Sequence, residues 1–323
     1  MAVPLFRRGS AEAREAREAA DAEQSASLAA LERGELPLRA QQRLGEIGEA
    51  GRGLFSSDLS VDEFALVRAI GLRPLAQVMG SSIYHVGWQQ RPGAWGMQVT
   101  GISQELSVVS EAWNSARLRA FARLEQEATL VGADAVVGVR LTVGRHDWAA
   151  GAIEYVAVGT AVRIDGAEHA ERPVLTDLSG QDFRKLWQAG QRPLGVVGAS
   201  TVHYIVAGWA TQQAQSGFSA SWVNQELRDF TRGVYDARET ALGRMTAEAR
   251  HLGAAGVVGV SIVHSVEERE AGRGSGRRDL VVTFHVLGTA IGPGRAEGRE
   301  LEVSPRLDLS RDTQLPHVLG GNR

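Results

Sequence analysis

The feature that most constrains how this chain can fold is an internal repeat, because two copies of one sequence unit are expected to form the same structure twice. Residues 59–78 match residues 178–197 at a spacing of 119 positions. The strongest match aligns 103–139 with 224–260, where 15 of 37 positions are identical. The length of 323 residues also suits about two domains. The sequence therefore predicts two tandem copies of one unit.

The repeat divides the chain into four parts. We expect a charged helical N-terminal arm at 1–55, a first copy at 56–167, a second copy at 172–294 and a polar C-terminal tail at 295–323. The arm contains the helix-favouring segment Glu12–Ala20. Its larger apolar residues are expected to dock on the body of the protein or on a neighbouring chain: Leu28, Leu31, Leu36, Leu38, Leu44 and Ile47.

A long helix is predicted in each copy by apolar residues spaced three or four positions apart, which form one buried stripe. In the first copy this helix runs roughly from Ile102 to Val131 and ends at Gly132, where a glycine cap belongs. The stripe occupies positions 106, 109, 113, 116, 120, 124, 128 and 131. The matched positions of the second copy are all apolar too, whereas the polar residues between them differ. The stripe therefore marks the side of the helix that faces the core.

Shorter signals define the remaining elements of each unit. Ser60 with Glu63 fits the capping box of a short helix. A strand is expected from Leu75 to about Trp88, with Gly80 marking a bulge or kink. After the long helix, two strands joined as a hairpin close the unit. Each unit thus reads helix–strand–helix–strand–strand, an α+β layer whose three-stranded sheet leaves two open edges, so we expect pairing between copies or between chains.

Charge and cysteine content exclude several kinds of site. The formal net charge of −3 gives no bulk electrostatic basis for binding nucleic acid or an anionic membrane. The absence of cysteine excludes disulfides, thiolate zinc sites, iron–sulfur clusters and a cysteine nucleophile. The N-terminus lacks the apolar core of a signal peptide, and no apolar run reaches the ~18 residues that a spanning helix needs. We therefore expect a cytoplasmic protein with no nucleic-acid partner and no membrane span.

Three segments of the first copy form a recognisable pattern: the helix from Ala116 to Leu124, the run Leu130–Val139 and the closing strand Val158–Val162. The second copy repeats this pattern. It resembles the YbjQ family (UPF0145), small bacterial proteins described as heavy-metal-binding, and the resemblance covers most of 75–164 and 194–291. The resemblance implies a fold similar to a dodecin subunit and assembly into a ring, commonly a pentamer. It implies no particular enzymatic activity.

A tyrosine and a histidine occupy matched strand positions in the two copies, but in opposite order. Tyr84 and His85 of the first copy face His203 and Tyr204 of the second. Such residues can line a metal or ligand pocket. Adjacent strand residues point to opposite faces, so the swap moves the histidine across the sheet, which a metal site shared by both copies would not tolerate. The simpler interpretation is a histidine at an interface or at the edge of the core.

Three carboxylates are further candidate metal ligands. Glu105 and Glu226 lie in matched Gln-Glu-Leu triplets, which the predicted helices place in their first turns, where an acid interacts favourably with the helix dipole. A metal-ligand or acid–base role is the alternative for both. Asp134 follows the glycine cap, where it most simply satisfies backbone groups of a turn. The second copy has Ala255 at that place, so any further role of Asp134 belongs to one copy only.

Two tryptophans, Trp88 and Trp209, occupy the matched position at the end of the first strand of each copy. In a ring of subunits they could stack on a planar ligand. The simpler interpretation is a pair of large side chains that close a subunit interface.

No nucleophile–base pair, cofactor motif or phosphate-binding loop is recognisable in the sequence. The leading hypothesis is therefore a non-enzymatic, ring-forming binding or scaffold protein, for example five chains that supply ten units. The alternative is a metal- or small-molecule-binding protein with repeated pockets at subunit interfaces, for which a divalent metal is the candidate cofactor.

Overall fold

The computed structural model describes residues 8–50, 56–87, 89, 100–146, 151–166, 169–216, 224–271 and 276–294. Within these ranges an N-terminal helical arm precedes two similar α+β units, which we call copy 1 and copy 2. The C-terminal tail expected at 295–323 lies outside the described residues.

The arm consists of two helices, α1 (Arg8–Glu32) and α2 (Leu38–Ala50). Leu36 and Leu44 are buried in the same core cluster as Phe121 of copy 1. Of the two docking partners expected for the arm, the structure shows the body of the same chain.

The two copies share the order of their main elements. Copy 1 contains α3 (Val61–Ala69), β1 (Leu72–His85), β2 (Ser103–Glu105), α4 (Ser107–Leu130), β3 (Ala135–His146) and β4 (Ala152–Ile164). Copy 2 contains β5 (Val174–Leu175), α5 (Gly180–Gln188), β6 (Gln191–Ile205), α6 (Trp209–Ser216), α7 (Arg228–His251), β7 (Gly256–Glu270) and β8 (Arg278–Pro293). This arrangement confirms the predicted α+β fold with two tandem units.

Each copy carries a four-stranded sheet, because one short strand is added to its three long ones. The strand orders are β1-β4-β3-β5 and β2-β6-β8-β7. β5 lies in the segment of copy 2 that precedes α5, which we call its lead-in, yet it runs parallel to β3 of copy 1. β2 comes from copy 1, yet it pairs antiparallel with β6 of copy 2. The pairing expected at the open edges therefore occurs within the chain, between the copies.

The long helices α4 and α7 pack their apolar stripes on the sheets. Every stripe position of α4 is buried except Val109, which is half-buried. The stripe of α7 is buried or half-buried as far as Ala249, and only Leu252 at its end is exposed. In the described part of the chain, no helix is long and apolar enough to cross a membrane.

The long helices begin later than the sequence predicts. α4 starts at Ser107 rather than near Ile102, and α7 starts at Arg228. Residues 103–105, shortly before α4, pair instead with the edge of β6, since unpaired backbone groups at a sheet edge favour an added strand. The placement of Glu105 and Glu226 in a first helical turn was therefore wrong.

Gly80 allows close contact between β1 and α4, and the prediction of a bulge there was wrong. A Cβ atom on Gly80 would lie 1.9 Å from the carbonyl oxygen of Ala120. The register of β1 with β4 shifts instead between Pro74 and Ala76. β1 also ends at His85, earlier than expected, and Trp88 lies outside the described residues.

Candidate functional site at the junction of the two copies

The junction between the copies brings the candidate residues Glu105 and His203 together. β2 pairs with β6 so that Glu105 lies opposite His203 and Ser103 lies opposite Ile205. The Oγ of Ser103 is 3.2 Å from Nδ1 of His203. One carboxylate and one imidazole, contributed by different copies, are thus neighbours across one strand pair.

Arg244 of α7 neutralises the carboxylate of this pair. Its Nη2 is 2.9 Å from Oε2 of Glu105. Burial acts to raise the pKa of Glu105, but hydrogen bonds from Arg244 and Ser110 outweigh it and hold the pKa below its ordinary value. Burial lowers the pKa of His203, and the negative charges of Glu105 and Asp236 offset this only in part. At neutral pH the site is an ionised carboxylate bound by arginine, beside a neutral histidine.

This pair does not fit a heavy-metal site. Arg244 engages the carboxylate of Glu105 and would have to leave before a cation could bind there. His203 is 5% exposed, and within the described residues its Nε2 has no hydrogen-bond partner. Over those same residues, no three His, Asp or Glu side chains are grouped so that they could hold a metal ion. A protein metal site needs several such ligands, so the pair alone is insufficient.

A second polar cluster joins β4 of copy 1 to the adjacent strands β6 and β8 of copy 2. The hydroxyl of Tyr155 on β4 is 2.5 Å from Oγ of Ser200 on β6 and 3.1 Å from Nδ1 of His285 on β8. The Oγ of Ser200 is 2.8 Å from the same nitrogen. Trp113 packs edge-on against Tyr155 and His285, with ring centroids 5.5 and 4.9 Å away. Burial raises the pKa of Tyr155 to about 12, so its hydroxyl stays protonated at neutral pH.

Ser200 and His285 have the chemistry of a nucleophile and a base, but the serine is buried inside the junction, while His285 is half-buried. Ser200 is 1% exposed. Its backbone N–H donates to Oδ1 of Asn114 over 2.9 Å, and the amide of Asn114 donates to its carbonyl oxygen over 2.7 Å. A serine held on both sides in this way does not meet a substrate from solvent. The cluster instead links α4 and β4 of copy 1 to β6 and β8 of copy 2 through hydrogen bonds.

A groove of about 880 Å³ runs between α4 and α7. Its lining combines apolar side chains such as Phe121 and Leu252 with charged ones such as Arg117 and Glu248. Arg117 and Glu248 form a salt bridge of 3.2 Å. A volume of this order is typical of pockets that hold small molecules. The groove is therefore the part of the junction that a ligand could enter.

Asp134 is not part of the Glu105–His203 pair. Its buried carboxylate accepts hydrogen bonds from the backbone N–H groups of Ile164, at 2.8 Å, and Ala170, at 3.2 Å. Nδ1 of His169 is 2.7 Å away. Burial acts to raise the pKa of Asp134, but the hydrogen bonds from Ile164 and His169 hold it below its ordinary value. Asp134 thereby ties the turn after α4 to the segment that follows β4.

The other members of the swapped tyrosine–histidine pairs lie in different surroundings. His85 is exposed, and the guanidinium of Arg119 lies 5.8 Å from the ring centroid of Tyr84. Tyr204 is buried and donates its hydroxyl to Oδ2 of Asp279 over 3.0 Å. The two histidines therefore do not form equivalent sites.

Glu226, which matches Glu105, and Trp209, which matches Trp88, lie outside the strands β2 and β6 that join the copies. Glu226 is exposed in the segment before α7. Trp209 is also exposed and begins α6, rather than ending a strand. A stacking or interface role for the tryptophans stays a prediction.

The Tyr155–Ser200–His285 cluster was missed by sequence reasoning, although a signal was present. Tyr155 aligns with Phe284, and His285 aligns with Val156. Each copy therefore carries a polar residue where the other has an apolar one, on adjacent positions of the same strand. Such paired differences between copies indicate that the two units contact each other through unlike surfaces.

Comparison with known proteins agrees with the repeat. The family YbjQ_1, described as "Putative heavy-metal-binding", matches residues 75–165 and again residues 191–292. The "Encapsulin nanocompartment protein Rv1762c" of Mycobacterium tuberculosis is 40% identical over 250 residues, which cover 72% of this chain and 91% of that protein. A "UPF0145 protein" of Archaeoglobus fulgidus is 43% identical over 63 residues, which cover 20% of this chain and 56% of that protein. No solved structure matches this chain.

Proposed function

This chain belongs to the YbjQ family, with two tandem copies of the family's unit, and on that premise we propose that it is a non-enzymatic, ring-forming scaffold subunit. It acts by assembling with further copies of itself in the cytoplasm. A pentamer that presents ten units is the arrangement expected from the resemblance.

The observation that carries this proposal is the exchange of edge strands between the copies. β2 leaves copy 1 to complete the sheet of copy 2, and β5 leaves copy 2 to extend the sheet of copy 1. The units are thus built to complete one another through their sheet edges, which is a common way of joining β-containing subunits. A chain with two such units retains the outer edge of each for a further partner.

Two further observations support a scaffold rather than an enzyme. Ser200 at the junction is buried and held by Asn114, and the carboxylate of Glu105 is paired with Arg244. The Mycobacterium tuberculosis relative is named as a nanocompartment protein, and that name describes an assembly.

The mass of the purified full-length chain in solution tests the proposal. Light scattering coupled to size-exclusion chromatography, or native mass spectrometry, should give a multiple of the 34.6 kDa chain mass. A fivefold multiple is expected for the pentamer. A monomer at every protein concentration would contradict the scaffold function.

A second candidate function, small-molecule binding, is favoured by the groove between α4 and α7. The groove is lined by the apolar side chains of Phe121 and of Leu252, which is exposed. The anionic apolar dye anilinonaphthalene sulfonate is a suitable probe. Its fluorescence should rise with wild-type protein and much less with Leu252→Glu. Equal fluorescence from both proteins would count against a ligand in this groove.

A further inference from the structure

The outer strand of copy 2 exposes side chains that copy 1 buries at the matched positions. Val260 on β7 is 42% exposed, whereas its counterpart Val139 on β3 is 2% exposed. Val139 is covered because it belongs to a core cluster against which Val196 and Leu287 of copy 2 pack. Nothing in the described structure covers Val260 in the same way. One apolar face of β7 is therefore left without the partner that β3 has.

Copy 1 exposes the complementary surface. Ile83 on β1 is 57% exposed, whereas its counterpart Val202 on β6 is 1% exposed. Val202 is buried with Trp113 and Tyr155 of copy 1. The free surface of copy 2 therefore matches the surface that copy 1 uses at the internal junction. The free surface of copy 1 matches the surface that copy 2 uses there.

The outer backbone edges of the two sheets also lack the partners that the matched edges have at the internal junction, within the described chain. β1 and β7 are the outermost strands of their sheets within the described chain. The segment 224–226, which matches β2, is exposed and lies outside any described strand. At the internal junction, Leu178 accepts a hydrogen bond from the backbone N–H of Gly138, and Thr176 accepts one from Val139. No described residue accepts a matched hydrogen bond from the backbone N–H of Gly259 or of Val260.

We propose that a second copy of this chain docks head to tail, with its copy 1 placed against copy 2 of the first chain so that the internal junction is repeated between chains. Residues 224–226 would pair with 84–86 of the neighbour, as β2 pairs with β6. The neighbour's lead-in at 57–59 would run along β7, as residues 176–178 run along β3. This inference rests on the proposed scaffold function and names the surfaces that perform it.

Head-to-tail contacts use two different surfaces on each chain, so they close into a ring or continue as a filament. The exposed apolar faces and free strand edges supply both burial and backbone hydrogen bonds at each contact. The internal junction fixes the rotation from one unit to the next, and this rotation decides between a closed ring and a filament.

The arm lies at the edge of the proposed interface. At the internal junction Glu248 pairs with Arg117, at 3.2 Å. The matched Glu127 of copy 1 has Arg43 of α2 at 3.5 Å. The residue that matches Arg117 is Arg238, which is half-exposed on α7 and would approach Glu127 of the neighbour. Arg43 of the arm and the incoming Arg238 therefore share or compete for one carboxylate.

Charged substitutions on each surface of the full-length chain test the proposal. Val260→Asp and Ile83→Asp each place a carboxylate at the centre of one proposed contact, and both positions are exposed in the single chain. Burying an unpaired charge there should raise the protein concentration needed for assembly by at least about tenfold. Val263→Asp is the control, because Val263 is 61% exposed on the same strand and its counterpart Thr142 stays exposed at the internal junction. Circular dichroism verifies that each variant is folded.

Mixing the two variants separates a head-to-tail contact from a symmetric one. Val260→Asp leaves the copy 1 surface intact, and Ile83→Asp leaves the copy 2 surface intact. An equimolar mixture should form a dimer of one chain of each and nothing larger. Assembly of either single variant at the wild-type concentration, or a mixture that stays monomeric, overturns the proposed surfaces. A wild-type protein that never assembles would instead remove the scaffold function itself.

Discussion

Arg117 of α4 reaches across the copy junction to Glu248 of α7, with Nη2 of the arginine 3.2 Å from Oε2 of the glutamate. Arg117 is almost fully buried, and the same carboxylate oxygen accepts the backbone N–H of Gly198 on β6 over 2.9 Å. One carboxylate thus fixes both a helix of copy 1 and a strand of copy 2. The copies are joined by an ion pair as well as by exchanged strands.

Replacement of Arg117 by alanine should destabilise the protein, because it leaves Glu248 without its cation and opens a space at the junction. We expect a loss of about 2–3 kcal/mol in the free energy of unfolding, near the low end for buried pairs because Glu248 is partly exposed. Chemical denaturation measures it. Arg14→Ala removes an exposed pair with Glu18 in the arm and should cost below about 0.5 kcal/mol. Similar costs for both changes would argue against a junction ion pair.

Replacement of Tyr155 by phenylalanine should weaken the junction without disturbing its packing, since copy 2 already carries Phe284 at the matched position. The change removes the hydroxyl that lies between Ser200 and His285 and leaves both with one partner fewer. A cost of about 1–3 kcal/mol is expected for buried polar groups that lose a partner. Tyr235→Phe, at an exposed position of α7, is the control and should leave the melting temperature unchanged. A melting temperature that is equally unchanged in Tyr155→Phe would contradict the role of the cluster.

Features that depend on nearby residues could be read from the sequence. The capping box at Ser60 and Glu63 forms as predicted, with the Ser60 side chain accepting from Glu63 N and the Glu63 side chain accepting from Ser60 N. Gly132 and Gly253 end the long helices with φ of +71° and +68°. These signals act within one turn of helix, so the residue pattern alone determines them.

Features that depend on distant residues could not be read in this way. β2 and β5 contain three and two residues, too few to show the alternation that marks a strand. They exist because β6 and β3 offer open edges far along the chain. For the same reason Glu105 and His203 were identified separately, but neither their pairing nor the salt bridge from Arg244 to Glu105 followed from the sequence.

Two glycine substitutions should change stability in opposite directions. Gly80→Ala would place a Cβ atom 1.9 Å from the carbonyl oxygen of Ala120 and 2.5 Å from the backbone nitrogen of Leu124. Backbone atoms of a packed helix cannot yield easily, so we expect a loss of about 1–3 kcal/mol or more. Gly243→Ala lies in α7, where nothing is within 4 Å of the added atom, and should stabilise the protein by up to about 1 kcal/mol. Thermal unfolding of both variants measures the contrast, and a neutral Gly80→Ala would contradict the close contact between β1 and α4.

The buried histidine at the junction should make stability depend on pH. Burial lowers the pKa of His203 in the folded protein, while the unfolded chain keeps the ordinary value near 6.5. Below about pH 6.5 the unfolded state therefore binds a proton that the folded state resists, and stability falls as the pH falls. Glu105 also has a lowered pKa, so its contribution is lost only at pH values below its ordinary range. Between pH 7 and 5 the effect of His203 can therefore be separated from that of its partner.

His203→Gln should remove this part of the pH dependence. Glutamine retains a polar group beside Ser103 but does not titrate, so the variant should lose less stability than the wild type between pH 7 and 5. Titrating groups that do not interact with His203 contribute equally to both proteins and cancel in the difference, and its partner Glu105 titrates below this interval. Urea denaturation at each pH gives the two curves, and because stability depends on the difference in protons bound by the two states, their separation reports the titration of His203. Parallel curves over this interval would show that His203 is not held neutral at the junction.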